Sequence, residues 1–343
     1  MKAVIIHKAK DLRIEELAAQ PPGPGEVAIA IKRGGICGSD LHYYRHGGFG
    51  TIVLKEPMVL GHEIAGEIVA LGQEVSTLRT GQRVAVNPSL PCGSCIYCQK
   101  GQQNHCYDMR FYGSAMRMPH VQGAFVQHLV AKASQCHVIA DGIAMEDAAF
   151  AEPFSVALHA IVRAGSLAGK RVLVTGCGPI GVLAIVAAHF HGAREIVATD
   201  VSGFTLATAQ HMGAARIVNV AATPDGMAEF KANKGYFDIM IEASGNESAL
   251  RTGLECLKPR SILLQLGLGG DISIPQNLIV SKEIDMRGSF RFHEEFALAV
   301  ELINNRRVNF TPLLTAVIPV DEAVRAFDLA LDRSRSMKVQ IAF

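Results

Sequence analysis

The chain has 343 residues, 49% hydrophobic and 19% charged, which is enough apolar material for more than one buried core and excludes a disordered polymer. Its 33 Lys+Arg against 32 Asp+Glu leave a formal charge of +1 with no basic block, so neither nucleic acid nor a membrane surface is an expected partner. The N-terminal MKAVIIHKAKDLRIEE has too short an apolar core and no small-residue cleavage site for a secretory signal, and the expected location is the cytoplasm.

Residues 1 to about 150 carry short β-type runs at 27–31, 67–70 and 83–86, split by Gly and Pro, the texture of an irregular β-rich domain. Within it, Cys37 lies in GGICGSDLH, and His62 and Glu63 lie in LGHEIAGEIVALG. Each alone reads as an ordinary core cysteine or a turn. Together, one thiol, one imidazole and one carboxylate suit a zinc shell with an open fourth position, the requirement for Lewis-acid chemistry. Downstream, Cys92, Cys95, Cys98 and Cys106 form C-x2-C-x2-C-x7-C, a spacing that lets four thiolates converge on a closed structural zinc. Disulfides fit poorly with the lack of a secretory signal and with further unpaired thiols. An iron-sulfur cluster fits poorly because the ferredoxin run ends in x3-C-P. Cys136, Cys177 and Cys256 read as buried thiols without ligand partners.

From 153 to 288 the pattern becomes strand and helix in alternation, with strands expected at 172–175, 195–199, 216–220, 237–242, 262–266 and 284–287 and helical segments between most of them. That alternation predicts an α/β domain whose parallel sheet is covered on both faces. Residues 172–193 carry no formal charge over a span long enough to cross a bilayer. Gly176, Gly178, Pro179 and Gly181 interrupt the span, so it reads instead as a buried strand, a tight turn and a helix at 180–191. The turn is G-x-G-x-x-G (Gly176, Gly178, Gly181), and Asp200 ends the next strand nineteen residues after Gly181. Those glycines let backbone approach a pyrophosphate at a helix N-terminus, and the acid accepts from the adenine-ribose hydroxyls while repelling a 2′-phosphate. No lysine or arginine lies between Asp200 and Arg216, so NAD is expected over NADP. The tail returns to helices at 293–305 and 321–331, expected to fold back onto the first domain.

The order GGICGSD-LH, PMVLGHE, four spaced cysteines, AEPFSVALHA and VTGCGPIG resembles the zinc-dependent medium-chain dehydrogenase/reductase family over nearly the whole chain. The glutamate in AEPFSV resembles the polyol dehydrogenase branch, and GGICGSDLHYY, CYDMRFYGSAM and RGSFRF resemble its L-idonate 5-dehydrogenases. The resemblance implies a GroES-like catalytic domain over 1–152 and 289–343 with two zinc ions, and a Rossmann doubly wound parallel sheet over 153–288, with substrate in the cleft between them. Cys37, His62 and Glu152 match the catalytic-zinc positions, and Glu63 matches a neighbouring carboxylate able to enter the shell. Asp40 matches an acid that orients the zinc histidine. Ser39 and His42 match a proton relay, and Tyr43 and Arg291 match positions that contact substrate or nearby cofactor. The implied cofactor contacts are Gly176, Gly178, Pro179, Ile180, Gly181, Asp200, Leu266, Gly267, Leu268, Ser289 and Phe290. The branch often has a basic residue just after Asp200, whereas this chain reads VSGFTL, which weighs against dual NAD/NADP use.

The implied reaction is NAD-linked oxidation of a secondary hydroxyl of a sugar acid, L-idonate to 5-keto-D-gluconate, with a neutral polyol such as sorbitol or xylitol as the alternative. Arg110, Arg117 and Arg291 are the guanidinium groups available to pair with a substrate carboxylate. Arg110 and Arg117 equally suit solvated or internally paired roles. The resemblance also implies a homodimer or homotetramer joined through the Rossmann domains near their last strand. A non-enzymatic reading, with the four-cysteine lobe as an interaction module beside a redox sensor, is the remaining alternative. Residues 91–106 contain one lysine and no arginine, too little charge for phosphate tracking.

Overall fold

The computed structural model describes all 343 residues, and their contacts divide the chain into two units, Met1–Glu152 with Phe296–Asp332 and Lys338–Phe343, and Pro153–Glu295 with Arg333–Met337.

The first unit is organised around the ten-residue strand Glu26–Gly35. Its β-branched run Val27, Ile29, Ile31 alternates into a core shared with Ile64, Ile68, Val84, Val86, Val339 and Ile341. Full burial of each such side chain contributes about 1.5–3 kcal/mol, which fixes the register. Glu63–Leu71 pairs antiparallel along nearly its whole length, with Gly35 opposite Glu63. At the other side, His128–Lys132 pairs near its start and Lys338–Ala342 near its end. Arg83–Val86, Cys136–Val138 and Leu314–Pro319 extend this seven-stranded sheet outward. Phe125 and Phe327 fill the core with no exposure. Gly61 lets the chain pass this packing: its φ is +93°, and a Cβ there would stand 2.1 Å from the Phe125 ring.

The second unit holds six parallel strands in the order Arg216–Asn219, Glu195–Asp200, Arg171–Thr175, Phe237–Glu242, Leu257–Gln265 and Asp285–Gly288. Val172, Leu173, Val174, Met240, Ile241, Leu263 and Leu264 have no exposed surface, as a sheet covered on both faces requires. The direction of winding reverses between Arg171–Thr175 and Phe237–Glu242, the switch point where such sheets open a crevice at the carboxyl ends of their strands. The charge-free stretch resolves into strand Arg171–Thr175 and the twelve-residue helix Pro179–Phe190, with Pro179 at its first position. No helix is long and apolar enough to cross a membrane.

Three expectations shift. The strand expected from 262 begins at Leu257 because a register irregularity carries Pro259, Arg260 (φ +61°) and Ser261 between the Phe237–Leu257 and Ile239–Ile262 pairs. Between Arg216–Asn219 and Phe237–Glu242 the connection is a kinked 3-10 segment, Ala228–Lys234, with Asn233 at φ +51°. Residues 289–295 and 333–337, expected in the first domain, pack with the second unit.

Candidate active site

The candidate metal ligands of the first unit converge because neighbouring strands end together. Gly35 closes its strand two residues before Cys37, Glu63 opens the adjacent one, and Lys338 opens the strand on the opposite side. Cys37 then caps helix Gly38–His46: its amide donates to Asp40 Oδ2 at 3.0 Å, and Gly47, at φ +74°, ends the helix. Asp40, fully buried, also accepts from the Gly61 amide at 3.2 Å, so one carboxylate fastens the two backbone segments that carry Cys37 and His62. Its Oδ1 stands 3.9 Å from His62 Nδ1, a buried nitrogen with no hydrogen-bond partner.

The donor atoms of Cys37, His62 and Glu63 lie within 4.8 Å of one another, one soft sulfur, one imidazole and one carboxylate. That set fits zinc. Glu63 sits against Gly35, where a Cβ would fall 2.1 Å from its Oε2. Both Glu63 oxygens accept from Lys338 Nζ at 2.7 Å, and the same ammonium donates to the Ile36 carbonyl at 3.1 Å. Glu152, 6% exposed at the start of helix Ala151–Ala164, joins the same cluster of charges but lies outside the compact donor set. Burial first, then the neighbouring acids, pushes the Cys37 thiol up to about 12 and the Glu152 carboxyl up to about 8. Lys338 answers only part of this acidity, and a dication held by these donors would answer the rest. Lys338 escaped the sequence reading: a single lysine in SMKVQIAF shows no periodicity, and the only signal was a charge inside an apolar strand.

Ser39 and His42 lie three residues apart on one side of helix Gly38–His46, Ser39 half-buried and His42 exposed. Tyr43, expected to contact substrate or nearby cofactor, is 1% exposed, and its hydroxyl accepts from the Ala115 amide at 3.0 Å. Arg117 is held internally by Asp108 at 2.7 Å and by the Met109 and Tyr107 carbonyls. Arg110 is exposed on the short strand Arg110–Phe111. Arg291, in the second unit, has φ +55° and lies over the Phe290 ring at 5.0 Å.

Cys92, Cys95, Cys98 and Cys106 bring their sulfurs together in the first unit, with no disulfide. Cys95–Cys98 and Cys92–Cys98 sulfur separations are 3.6 and 4.0 Å, which bracket the edge of about 3.8 Å that four thiolates at about 2.3 Å from a tetrahedral zinc require. The Ser94 and Cys95 amides and the Ser94 hydroxyl pull Cys92 down to about 6, whereas burial pushes Cys98 up to about 12. Cys177 and Cys256 are buried as expected, and Cys136 is half-buried.

In the second unit, Gly176 (φ +86°) makes the turn after Arg171–Thr175, where a Cβ would meet Ser244 at 2.7 Å. A Cβ on Gly181 would stand 1.9 Å from the Gly176 carbonyl oxygen. Pro179 and Ile180 open the helix behind this bare backbone. Asp200 accepts from the Cys177 amide at 2.6 Å and from the Val201 and Ser202 amides, with lone pairs left for hydroxyl donors. Near the ends of the last two strands are Leu266 and Gly267, the 80%-exposed Leu268, the 42%-exposed Phe290, and a buried Ser289 hydroxyl without a partner. A glycine cradle, an acid on the next strand and exposed apolar surface suit a dinucleotide.

The comparisons agree with this geometry. Residues 23–141 match the family model "Alcohol dehydrogenase GroES-like domain", and residues 179–305 match "Zinc-binding dehydrogenase". The chain is 45% identical over 316 residues to L-idonate 5-dehydrogenase (NAD(P)(+)) of Escherichia coli strain K12, covering 92% of this chain and 91% of that protein. It is 36% identical to sorbitol dehydrogenase of Bacillus subtilis strain 168, covering 99% and 97%. The crystal structure of the Escherichia coli L-idonate 5-dehydrogenase superposes with TM-score 0.95 at 42% identity, over 100% of this chain and 98% of that one. These matches displace the reading of the four-cysteine lobe as a non-enzymatic interaction module. With a GroES-like domain, a Rossmann-like domain and these relatives, the chain belongs to the zinc-dependent medium-chain dehydrogenase/reductase family.

Proposed function

We propose that this dehydrogenase oxidises, reversibly, a secondary hydroxyl of a sugar acid, L-idonate to 5-keto-D-gluconate, with NAD preferred over NADP and two zinc ions per chain. The observation that carries the substrate is the 45% identity, over nearly the full length of both chains, to an L-idonate 5-dehydrogenase. When bound, zinc supplies Lewis-acid activation of the substrate hydroxyl and NAD supplies the acceptor for hydride.

Cys37, His62 and a carboxylate hold the catalytic ion. Lys338 neutralises Glu63, which favours Glu152 as the charged third ligand. Asp40 holds the backbone beside both Cys37 and His62 and faces the imidazole. Ser39 takes the proton of the hydroxyl, and exposed His42, one helical turn on, delivers it to solvent. The Asp200 carboxylate selects a free ribose hydroxyl over a 2′-phosphate. Cys92, Cys95, Cys98 and Cys106 hold the second ion and stiffen their lobe. Asp285–Gly288 is the edge of the parallel sheet, with Met286 43% exposed, and supports a homo-oligomer joined along that edge.

A neutral polyol is the second reading, favoured by the 36% identity to sorbitol dehydrogenase. The deciding experiment follows NADH formation with L-idonate, sorbitol and xylitol, each with NAD and with NADP. A kcat/KM for sorbitol above that for L-idonate overturns the sugar-acid proposal, and a preference for NADP overturns the role given to Asp200.

A further inference from the structure

Glu242 ends strand Phe237–Glu242 with no exposed surface, and nothing in the proposed chemistry uses it. A carboxylate buried in a sheet is costly unless donors converge on it. Here they do, and all are neutral. Oε1 accepts from the Ser244 amide at 2.8 Å, the Ser244 hydroxyl, and Thr175 Oγ1 at 3.4 Å. Oε2 accepts from Gln265 Nε2 at 2.7 Å, and the Gly245 amide lies 3.1 Å from both oxygens. The same Gln265 amide nitrogen also donates to the Gly267 carbonyl at 2.8 Å, and the Glu242 carbonyl accepts from the Leu266 and Gly267 amides. One residue therefore fastens the ends of three neighbouring strands.

The loops so fastened meet backbone to backbone. A Cβ on Gly269 would stand 1.8 Å from the Gly245 carbonyl oxygen, and one on Gly267 would stand 2.4 Å from the Gly245 nitrogen. On the other side, Ser244 is the group that a Cβ on Gly176 would strike. The clamp thus sits at the switch point, between the glycine turn and the second half of the sheet, where a dinucleotide places its second nucleotide. We infer that Glu242 is a positioning residue for the nicotinamide half of the cofactor, its carboxylate holding residues 243–245 and 265–269 in the shape that receives it. The inference rests on the NAD reading above.

Glu242→Gln tests it at constant shape. The new amide nitrogen faces Gly245 N or Gln265 Nε2, both donors, so one loop is released. NADH binding is read by fluorescence titration, ADP binding by competition, and stability by thermal unfolding. ADP carries the adenosine half and lacks the second nucleoside. Losing one hydrogen bond to a charged group, about 1.5 kcal/mol or more, predicts NADH binding weakened by about tenfold, with ADP affinity changed by less than about twofold. Ser244→Ala removes one donor from the clamp and keeps the carboxylate. It should weaken NADH by about threefold, again without affecting ADP, and it carries the test if Glu242→Gln fails to fold. Unchanged NADH affinity in a folded variant overturns the inference, as does equal weakening of NADH and ADP together with a lowered Tm, which marks a merely structural role. A wild-type chain that binds no NADH refutes the NAD reading instead.

Discussion

Replacing Lys338 by Met removes a buried ammonium while nearly conserving the length of the side chain. Lys338 and Glu63 are 3% and 1% exposed, and the ammonium reaches both carboxylate oxygens at 2.7 Å and the Ile36 carbonyl. At about 3 Å and an effective dielectric near 20 the attraction is about 5 kcal/mol. Removing one member of such a pair costs about 3–5 kcal/mol because the other charge stays buried. For a folding unit of this size, about 2–4 °C per kcal/mol gives a Tm lower by about 10 °C. Glu63→Leu should cost a similar amount by stranding the ammonium. The double variant should be no worse than either single one, since an apolar pair replaces an ion pair of like volume. The assay is urea unfolding of wild type, both single variants and the double, read as a double-mutant cycle with zinc content measured alongside. Losses that simply add in the double variant would refute the account, because they would show that the two groups do not depend on each other.

Three other outcomes follow from local geometry. Burial pushes the Glu295 carboxyl up, but the His159 hydrogen bond at 2.9 Å and the His293 amide together outweigh it and hold this 11%-exposed group down to about 2. Its stabilisation is complete above the unfolded carboxylate pKa of about 4.5 and is lost as pH falls through about 2; Glu295→Gln should cost about 3 kcal/mol at pH 7 and little below pH 2, read from unfolding at several pH values. Cys98→Ser should lower zinc by one ion per chain and open residues 92–106 to limited proteolysis, while NADH titration stays as in wild type. Lys282 is buried and donates to the Leu254, Glu255 and Leu257 carbonyls at the end of helix Glu247–Cys256, so Lys282→Met should cost about 2–4 kcal/mol in chemical unfolding.

Much of this was legible in the chain because periodicity and spacing report local physics. The near-continuous apolar runs of the parallel sheet declare burial on both faces, and four cysteines within fifteen positions declare a cluster of thiols. Bare glycines after a strand declare an approach of backbone to a ligand. What stayed hidden depends on partners distant in sequence. Lys338 meets Glu63 across 275 positions, and Glu242 gathers donors from strand ends on either side of it. Tyr43 matches a family position that contacts substrate or nearby cofactor, but no local pattern shows that its hydroxyl accepts from the distant Ala115 amide. The Arg117 guanidinium was claimed by Asp108 within its own loop. Pro259 and Arg260 precede the strand expected at 262–266, yet the strand already runs through them because an irregularity absorbs the misfit.

The bonds from Asp40 to the Cys37 and Gly61 amides have a consequence for how the chain handles its metal. Asp40 ties the two backbone segments to each other through bonds that involve no metal donor atom, so exchange of an ion there should leave the surrounding strands in place, and cobalt introduced at that position would serve as a spectroscopic reporter. The four-cysteine lobe keeps its shape through hydrogen bonds to sulfur, short helical turns and the packing of Tyr97 on His105 and Tyr107, so losing an ion held there should loosen it locally. Two sites in one chain would then differ in kind, one a socket for exchange and the other a rivet.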